Sequence, residues 1–153
     1  MPDPDATNHF EVSFFCEKEG AEFPWVSRFL PLAERILSEE DAAGNVNVIL
    51  ASDETVRKLN AEYRKLDKVT DVLSFEWHEE DLLGEIYIAE AQVKRQAPVY
   101  GNSYYQELKR VLVHGLLHLA GFDHIKVSDR KKMRAKEENI LGTALYQEVS
   151  HES

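Results

Sequence analysis

Cysteine is almost absent from this chain: Cys16 is the only one in 153 residues. No intrachain disulfide can form, which fits a reducing compartment. With seven glycines and five prolines, no Gly/Ser linker, low-complexity tract or collagen repeat can be drawn, and no internal repeat appears. Residues 1–153 therefore read as one domain. The N-terminus, Met1-Pro-Asp-Pro-Asp-Ala, is acidic and lacks the basic start and apolar run of a secretory signal. The longest weakly charged apolar stretch, Val111 to Phe122, contains two histidines and two glycines and is far shorter than the roughly 20 residues that span a bilayer. These absences lead to the expectation of a soluble, cytoplasmic protein that makes no use of a membrane.

The chain is 43% hydrophobic and 30% charged. A domain of this length buries roughly 68–70% of the surface its unfolded chain exposes, so it needs neither a metal nor a crosslink merely to fold. Any metal site is then read first as functional. The net charge of −10 is uneven: residues 1–54 carry twelve acids and three bases, the remainder sixteen and fifteen. Such a balance argues against indiscriminate nucleic-acid binding. Two segments are locally basic, Arg57 to Lys68 with five bases against two acids and Lys126 to Lys136 with six against one. Each reads either as a set of phosphate contacts or as the solvated face of an amphipathic helix.

Phe10 to Cys16 and Asn45 to Ala51 read as strands, and the pattern from Trp25 to Glu40 reads as a helix that Pro31 either kinks or divides in two. Ser52 or Asp53 caps a second helix with Val56, Leu59, Asn60 and Tyr63 on one stripe. Thr70 to Trp77 and Leu83 to Ile88 read as two further strands joined by the acidic turn His78-Glu-Glu-Asp, followed by a short helix from Glu90 to Ala97. Ser103 and Gln106 form a capping box for a helix that reaches Ala120, where Gly121 supplies a left-handed terminus. A last helix spans Ser128 to Tyr146. Strands and helices mix without regular alternation, so the expected class is α+β, a small mixed sheet packed with helices.

Three of the six histidines fall within the eleven residues His114-Gly-Leu-Leu-His-Leu-Ala-Gly-Phe-Asp-His124. His114 and His118 are four apart on a helix, so their imidazoles share one face and can hold one ion. Gly121 lets the chain turn back and bring His124 to a third ligand position. Three nitrogen ligands leave a fourth position open, the mark of a catalytic site, and zinc is the natural ion, although imidazoles also suit other divalent transition metals. Asp123 is either a partner for an imidazole N–H or a surface turn carboxylate. The spacing matches that of the metzincin peptidases, with Met133 in loose likeness to their methionine turn, but Gly115 stands where those enzymes have their general base.

The same segment closely resembles the signature of the YbeY family of bacterial endoribonucleases. Tyr63-Arg64, Thr70-Asp-Val-Leu-Ser-Phe75, Leu83-Gly-Glu-Ile86 and Met133 with Glu137 follow in that family's order and spacing, over roughly residues 45 to 142. The resemblance implies a zincin-like fold, a metal on His114, His118 and His124, and metal-dependent cleavage of single-stranded RNA in ribosomal RNA maturation, at the three-prime end of small-subunit RNA, and in ribosome quality control. It implies that His114 and Arg64 are catalytic, Arg64 holding a substrate phosphate and the charge that develops there, and by analogy that Thr70, Asp71 and Ser74 line the cleft. Its partners would be ribosomal RNA and small-subunit ribosomal proteins. Glu76 and Glu85 stand where the family often has proline and aspartate, which leaves the role of the Glu85 carboxylate open. Two other functions compete: a non-catalytic ribosome assembly factor with a structural metal, and a metallopeptidase, which Gly115 disfavours.

Overall fold

The computed structural model describes residues 10–40, 42, 44–79, 82–121 and 127–142. Among the described residues four strands, β1 (Val12–Cys16), β2 (Asn45–Ala51), β3 (Val72–Glu79) and β4 (Leu82–Ala89), alternate irregularly with five α-helices, α1 (Val26–Glu39), α2 (Asp53–Arg64), α3 (Glu90–Gln96), α4 (Tyr104–Leu119) and α5 (Val127–Leu141). The sheet order is β1-β2-β4-β3; β1, β2 and β4 are parallel, and β3 runs antiparallel to β4 at the edge. The fold is α+β, as the mixed pattern of elements implied.

Alternation along the strands divides the apolar residues between two faces. Val46, Val48, Ile86 and Ile88 join the main core with Phe29, Ala33, Ile36 and Leu37 of α1 and Leu108, Val111, Leu112 and Leu116 of α4. The opposite face holds a smaller cluster, Ala51, Leu73 and Ala89 with Val56 of α2. These residues are at one end of the sheet.

The local signals act as chemistry requires. Ser52 caps α2 by accepting from the Thr55 amide, and Ser103 with Gln106 forms the capping box of α4. α1 is one continuous helix; Pro31 is on its exposed side, where the carbonyl it leaves unpaired meets water. Gly121 has a positive φ of 104° just past α4. Three expectations are corrected. β3 begins at Val72 and continues to Glu79, so the acidic stretch after Trp77 begins as strand. α5 stops at Leu141, because Gly142 adopts a φ of 95° and ends it. Met133 is a buried core residue inside α5 rather than part of a turn.

The sheet requires a missing side chain at Gly84. A Cβ there would collide with the backbone carbonyl of Phe75 on β3 and stand 2.7 Å from Leu119 Cδ2 of α4. Strand backbone cannot give way as a flexible side chain does. Gly84→Ala is expected to lose about 2–3 kcal/mol, within the range for overpacking a core, with urea unfolding as the measurement. Wild-type stability would show that β3 and α4 are not held this tightly.

Candidate active site

Helix α4 carries polar residues at spacings of three, four and four, Glu107, Arg110, His114 and His118, which places them on one stripe of a helix whose second half is otherwise apolar. The stripe faces a cleft of about 460 Å3 whose lining includes Arg110, His114 and His118 from α4, Thr70, Asp71 and Ser74 from the start of β3 and the residues before it, and Arg64 from the end of α2. All the described residues that the sequence singled out for the site thus meet in one depression. His124 and Asp123 lie outside the described residues.

The imidazoles of His114 and His118 are 4.9 Å apart between ring centroids and inclined at 71°. His114 Nδ1 lies 3.2 Å from Glu137 Oε1 on α5. An ionised carboxylate can only accept, so beside one Nδ1 is the donor, and in a neutral ring the lone pair is then on Nε2. A carboxylate behind a histidine in this way fixes the tautomer in which the imidazole can act as a ligand. Among the described residues no group of three or more His, Cys, Asp or Glu side chains is placed to hold a metal ion. The two imidazoles are a donor pair suited to a transition metal.

The position after His114 is held open for packing. A Cβ on Gly115 would stand 2.9 Å from Ile86 Cγ2, 3.2 Å from Ser74 Oγ and 3.3 Å from Val72 Cγ2. Ser74 Oγ donates to the Gly115 carbonyl at 3.0 Å. The direction in which a metzincin base would project is therefore occupied by the sheet, and the Ser74 hydroxyl hydrogen is committed to fastening α4 onto β3.

Arg64 reaches the cleft from the other face of the sheet. Its NH2 donates to the Ser74 carbonyl at 2.8 Å, and its guanidinium carbon is 5.8 Å from the centroid of the Phe75 ring. One arginine therefore wraps the edge of β3, touching an aromatic of one face and lining the cleft on the other. Other bases of the same segment are paired on the helix surface, Arg57 with Asp67 at 2.8 Å and Lys58 with Glu54 at 3.0 Å.

Beneath the imidazoles lies a network the sequence did not announce. Arg110, 6% exposed, donates to Asp71 Oδ2 at 3.1 Å and to Glu107 Oε2 at 3.1 Å. Gln96 Nε2 donates to the same two oxygens at 2.9 and 2.6 Å, and Asn102 Nδ2 to Glu107 Oε1 at 3.0 Å. Burial opposes the charge on Arg110, but the adjoining carboxylates of Asp71 and Glu107 outweigh it and raise its pKa. Of this network Asp71 and Arg110 reach the cleft lining, where Arg64 and Lys68 add two further cations, while Glu137 backs His114 from α5. The stripe at 107, 110, 114 and 118 was the available signal for this network; Gln96, Asn102 and the contact of Glu137 with His114 depend on tertiary placement.

Residues 17–144 match the family model described as Endoribonuclease YbeY. The chain is 47% identical over 106 residues to Endoribonuclease YbeY of Desulforamulus reducens, covering 63% of this chain and 69% of that one. It is 40% identical over 116 residues to Endoribonuclease YbeY of Fusobacterium nucleatum, covering 71% and 72%. Among solved structures it is similar to the solution structure of TM1509 from Thermotoga maritima, with 32% identity, a TM-score of 0.63, and 92% and 93% of the two chains covered.

The floor network gives a stability test. Arg110→Leu leaves Glu107 and Asp71 as uncompensated charges, with Glu107 wholly buried, and is expected to cost about 3–5 kcal/mol. Glu107→Gln keeps a side chain of the same shape beside Asn102, leaves Arg110 paired with Asp71, and should cost much less. Urea unfolding of both variants measures this, and equal losses would show that charge compensation is not what the network supplies.

Proposed function

The chain belongs to the YbeY endoribonuclease family, and from that premise we propose that it is a metal-dependent endoribonuclease that cuts single-stranded RNA in small-subunit ribosomal RNA maturation and ribosome quality control. The observation that carries the reading is the meeting of a metal-ligand pair and a fixed cation in one cleft. Two imidazoles, one of them backed by the Glu137 carboxylate, share the cleft with an arginine anchored at its rim. A phosphodiester approaching a metal needs that arrangement, with cation below and guanidinium beside.

The metal would be held by His114 and His118 together with His124, ligands that suit zinc as they suit other divalent transition metals. A bound divalent ion supplies Lewis acidity toward a phosphoryl oxygen. The remaining work falls to the chain's own residues. Glu137 holds His114 in the tautomer that presents Nε2. The Ser74 carbonyl restrains the Arg64 guanidinium, so its fixed charge waits where negative charge grows on the phosphate. Thr70 lines the same cleft and offers a hydroxyl to a substrate oxygen. The donors of Arg110 are engaged by Asp71 and Glu107, so it shapes and neutralises the floor instead of competing for phosphate.

We place the protein in the cytoplasm, with ribosomal RNA and small-subunit ribosomal proteins as its partners. No helix of the described residues is long and apolar enough to cross a membrane. The basic segment Arg57 to Lys68 contributes Arg64 and Lys68 to the cleft lining, so the electrostatic contact with RNA is local and should weaken with salt.

The experiment is cleavage of a single-stranded small-subunit ribosomal RNA fragment by zinc-loaded protein, beside His118→Ala, Arg64→Ala and a chelated sample, all confirmed folded by circular dichroism. Cleavage is expected to vanish in the chelated and His118→Ala samples and to fall roughly 100- to 1000-fold in Arg64→Ala, the size found when one transition-state donor is removed. Equal cleavage in all samples would overturn the reading. Absence of cleavage, with ribosome association lost in Arg64→Ala but kept on chelation, would favour a non-catalytic assembly factor.

A further inference from the structure

The sheet has two faces, and the nuclease reading uses only one. On the other, register places Phe15, Ile49, Tyr87 and Leu73 in one row across the strands and Ser13, Asn47, Glu85 and Phe75 in the next. Helix α2 covers the end of this face at Ala51, Leu73 and Ala89. Beyond it the aromatic side chains remain accessible: Phe75, Trp77 and Tyr87 are half-buried, Tyr63 is 53% exposed and Phe15 50% exposed.

These rings support one another. Phe75 and Trp77 lie within 21° of parallel at 6.0 Å, Tyr63 meets Phe75 edge-on at 5.2 Å, and Tyr87 meets it edge-on at 6.0 Å. The indole N–H of Trp77 donates to Glu85 Oε1 at 3.0 Å, which restrains that ring. Rings with restrained rotation lose little entropy when a flat ligand stacks on them. Such a surface is costly to leave in water unless it is used.

We propose that this aromatic face is a stacking platform for unpaired RNA bases flanking the phosphate held in the cleft. The proposal rests on the nuclease reading for the identity of the ligand. Continuity favours RNA over a protein partner: Arg64 touches both Phe75 and the cleft edge at Ser74, so a strand with a phosphate at Arg64 has its next base beside the platform. Charge favours the bases over the backbone. The Glu85 carboxylate repels phosphate but can accept a hydrogen bond from a base amino group, while the phosphates run along the Arg64 and Lys68 side. Stacking of this kind tolerates many sequences and requires single strands.

The test uses the full chain in a Trp25→Phe background, so that Trp77, the other of the two tryptophans, is the only indole reporter. The probe is a single-stranded 2′-O-methyl RNA of roughly 12 nucleotides, within the usual range of such sites. It is expected to quench Trp77 fluorescence, and a duplex of the same sequence is expected not to. Tyr63→Leu with Trp77→Leu, confirmed folded by circular dichroism and read by anisotropy of the end-labelled probe, should weaken binding roughly tenfold or more and raise KM with kcat nearly unchanged. Tyr63→Phe with Trp77→Phe should restore affinity.

Wild-type affinity in the folded double leucine variant, or cleavage by wild type without quenching, would overturn the platform and leave the nuclease reading intact. If that variant keeps its affinity for the RNA probe but loses association with the small ribosomal subunit, the face binds protein and the proposal is wrong. Quenching in the Trp25→Phe protein and weakened probe binding by the double leucine variant, without any cleavage by wild type, would uphold the platform and overturn the nuclease reading instead.

Discussion

Helix α4 lies against the sheet at the distance two absent side chains allow. At Gly115 the helix backbone comes close enough to β3 and β4 for Ser74 to hydrogen-bond its carbonyl, and at Gly84 the strand admits both the Phe75 carbonyl and Leu119. Helix propensity alone would prefer alanine at position 115 by about 1 kcal/mol. Contact wins there because Ile86 and Val72 are branched and cannot move aside cheaply. This approach fixes the rotation of α4 and so aims its polar stripe at the cleft. A displacement of about 1 Å between imidazoles and arginine is enough to cost a reaction two orders of magnitude, so the packing of the core and the geometry of the site are one constraint.

The same stripe explains why a charged network lies in the interior. Glu107 and Arg110 sit on the line that leads to His114 and His118, and the helix cannot present one pair to the cleft without carrying the other toward the protein. Asp71, Gln96 and Asn102 complete the hydrogen bonds that burial removes from water. Buried pairs of this kind add little net stability and lose much when halved. Here Arg110 is shared between Asp71 and Glu107, so the network holds its own charges close to balance behind the imidazoles.

Much of this was legible in the sequence because it was local. The capping residues Ser52 and Ser103, the glycine stop at Gly121 and the alternation of Val46, Val48 and Leu50 each act within a few residues, and the elements they specify appear where expected. His114 and His118 were legible through helical spacing, and Arg64 through the family pattern around it. Strand order was not legible, nor was the position of β3 at the edge, because pairing depends on contacts between distant segments. Met133 was misleading for the same reason: its place in α5 is set by a core that α1, α4 and α5 build together. Ser74 combined both cases, a residue of the family pattern whose hydroxyl reaches across to the Gly115 carbonyl forty-one positions away.

The acidity of the chain, an obstacle to binding RNA when taken as a single number, is resolved by where the charges are. The described lining of the cleft begins at Asn60, so none of the described residues in the strongly acidic first 54 contributes to it. Even so, a chain of net charge −10 cannot gather a polyanion by its overall field. Its affinity has to come from a few placed cations and from contacts that do not depend on charge. Aromatic stacking is such a contact, and the edge strand β3 is where both can act together: its outer backbone holds Arg64, one face carries Phe75 and Trp77, and the other rests on the helix that bears the imidazoles. A strand in the middle of the sheet could not serve both faces in this way, because its backbone carbonyls would be taken by neighbouring strands. The single antiparallel strand at the edge thus makes a small acidic domain able to hold one segment of a polyanion.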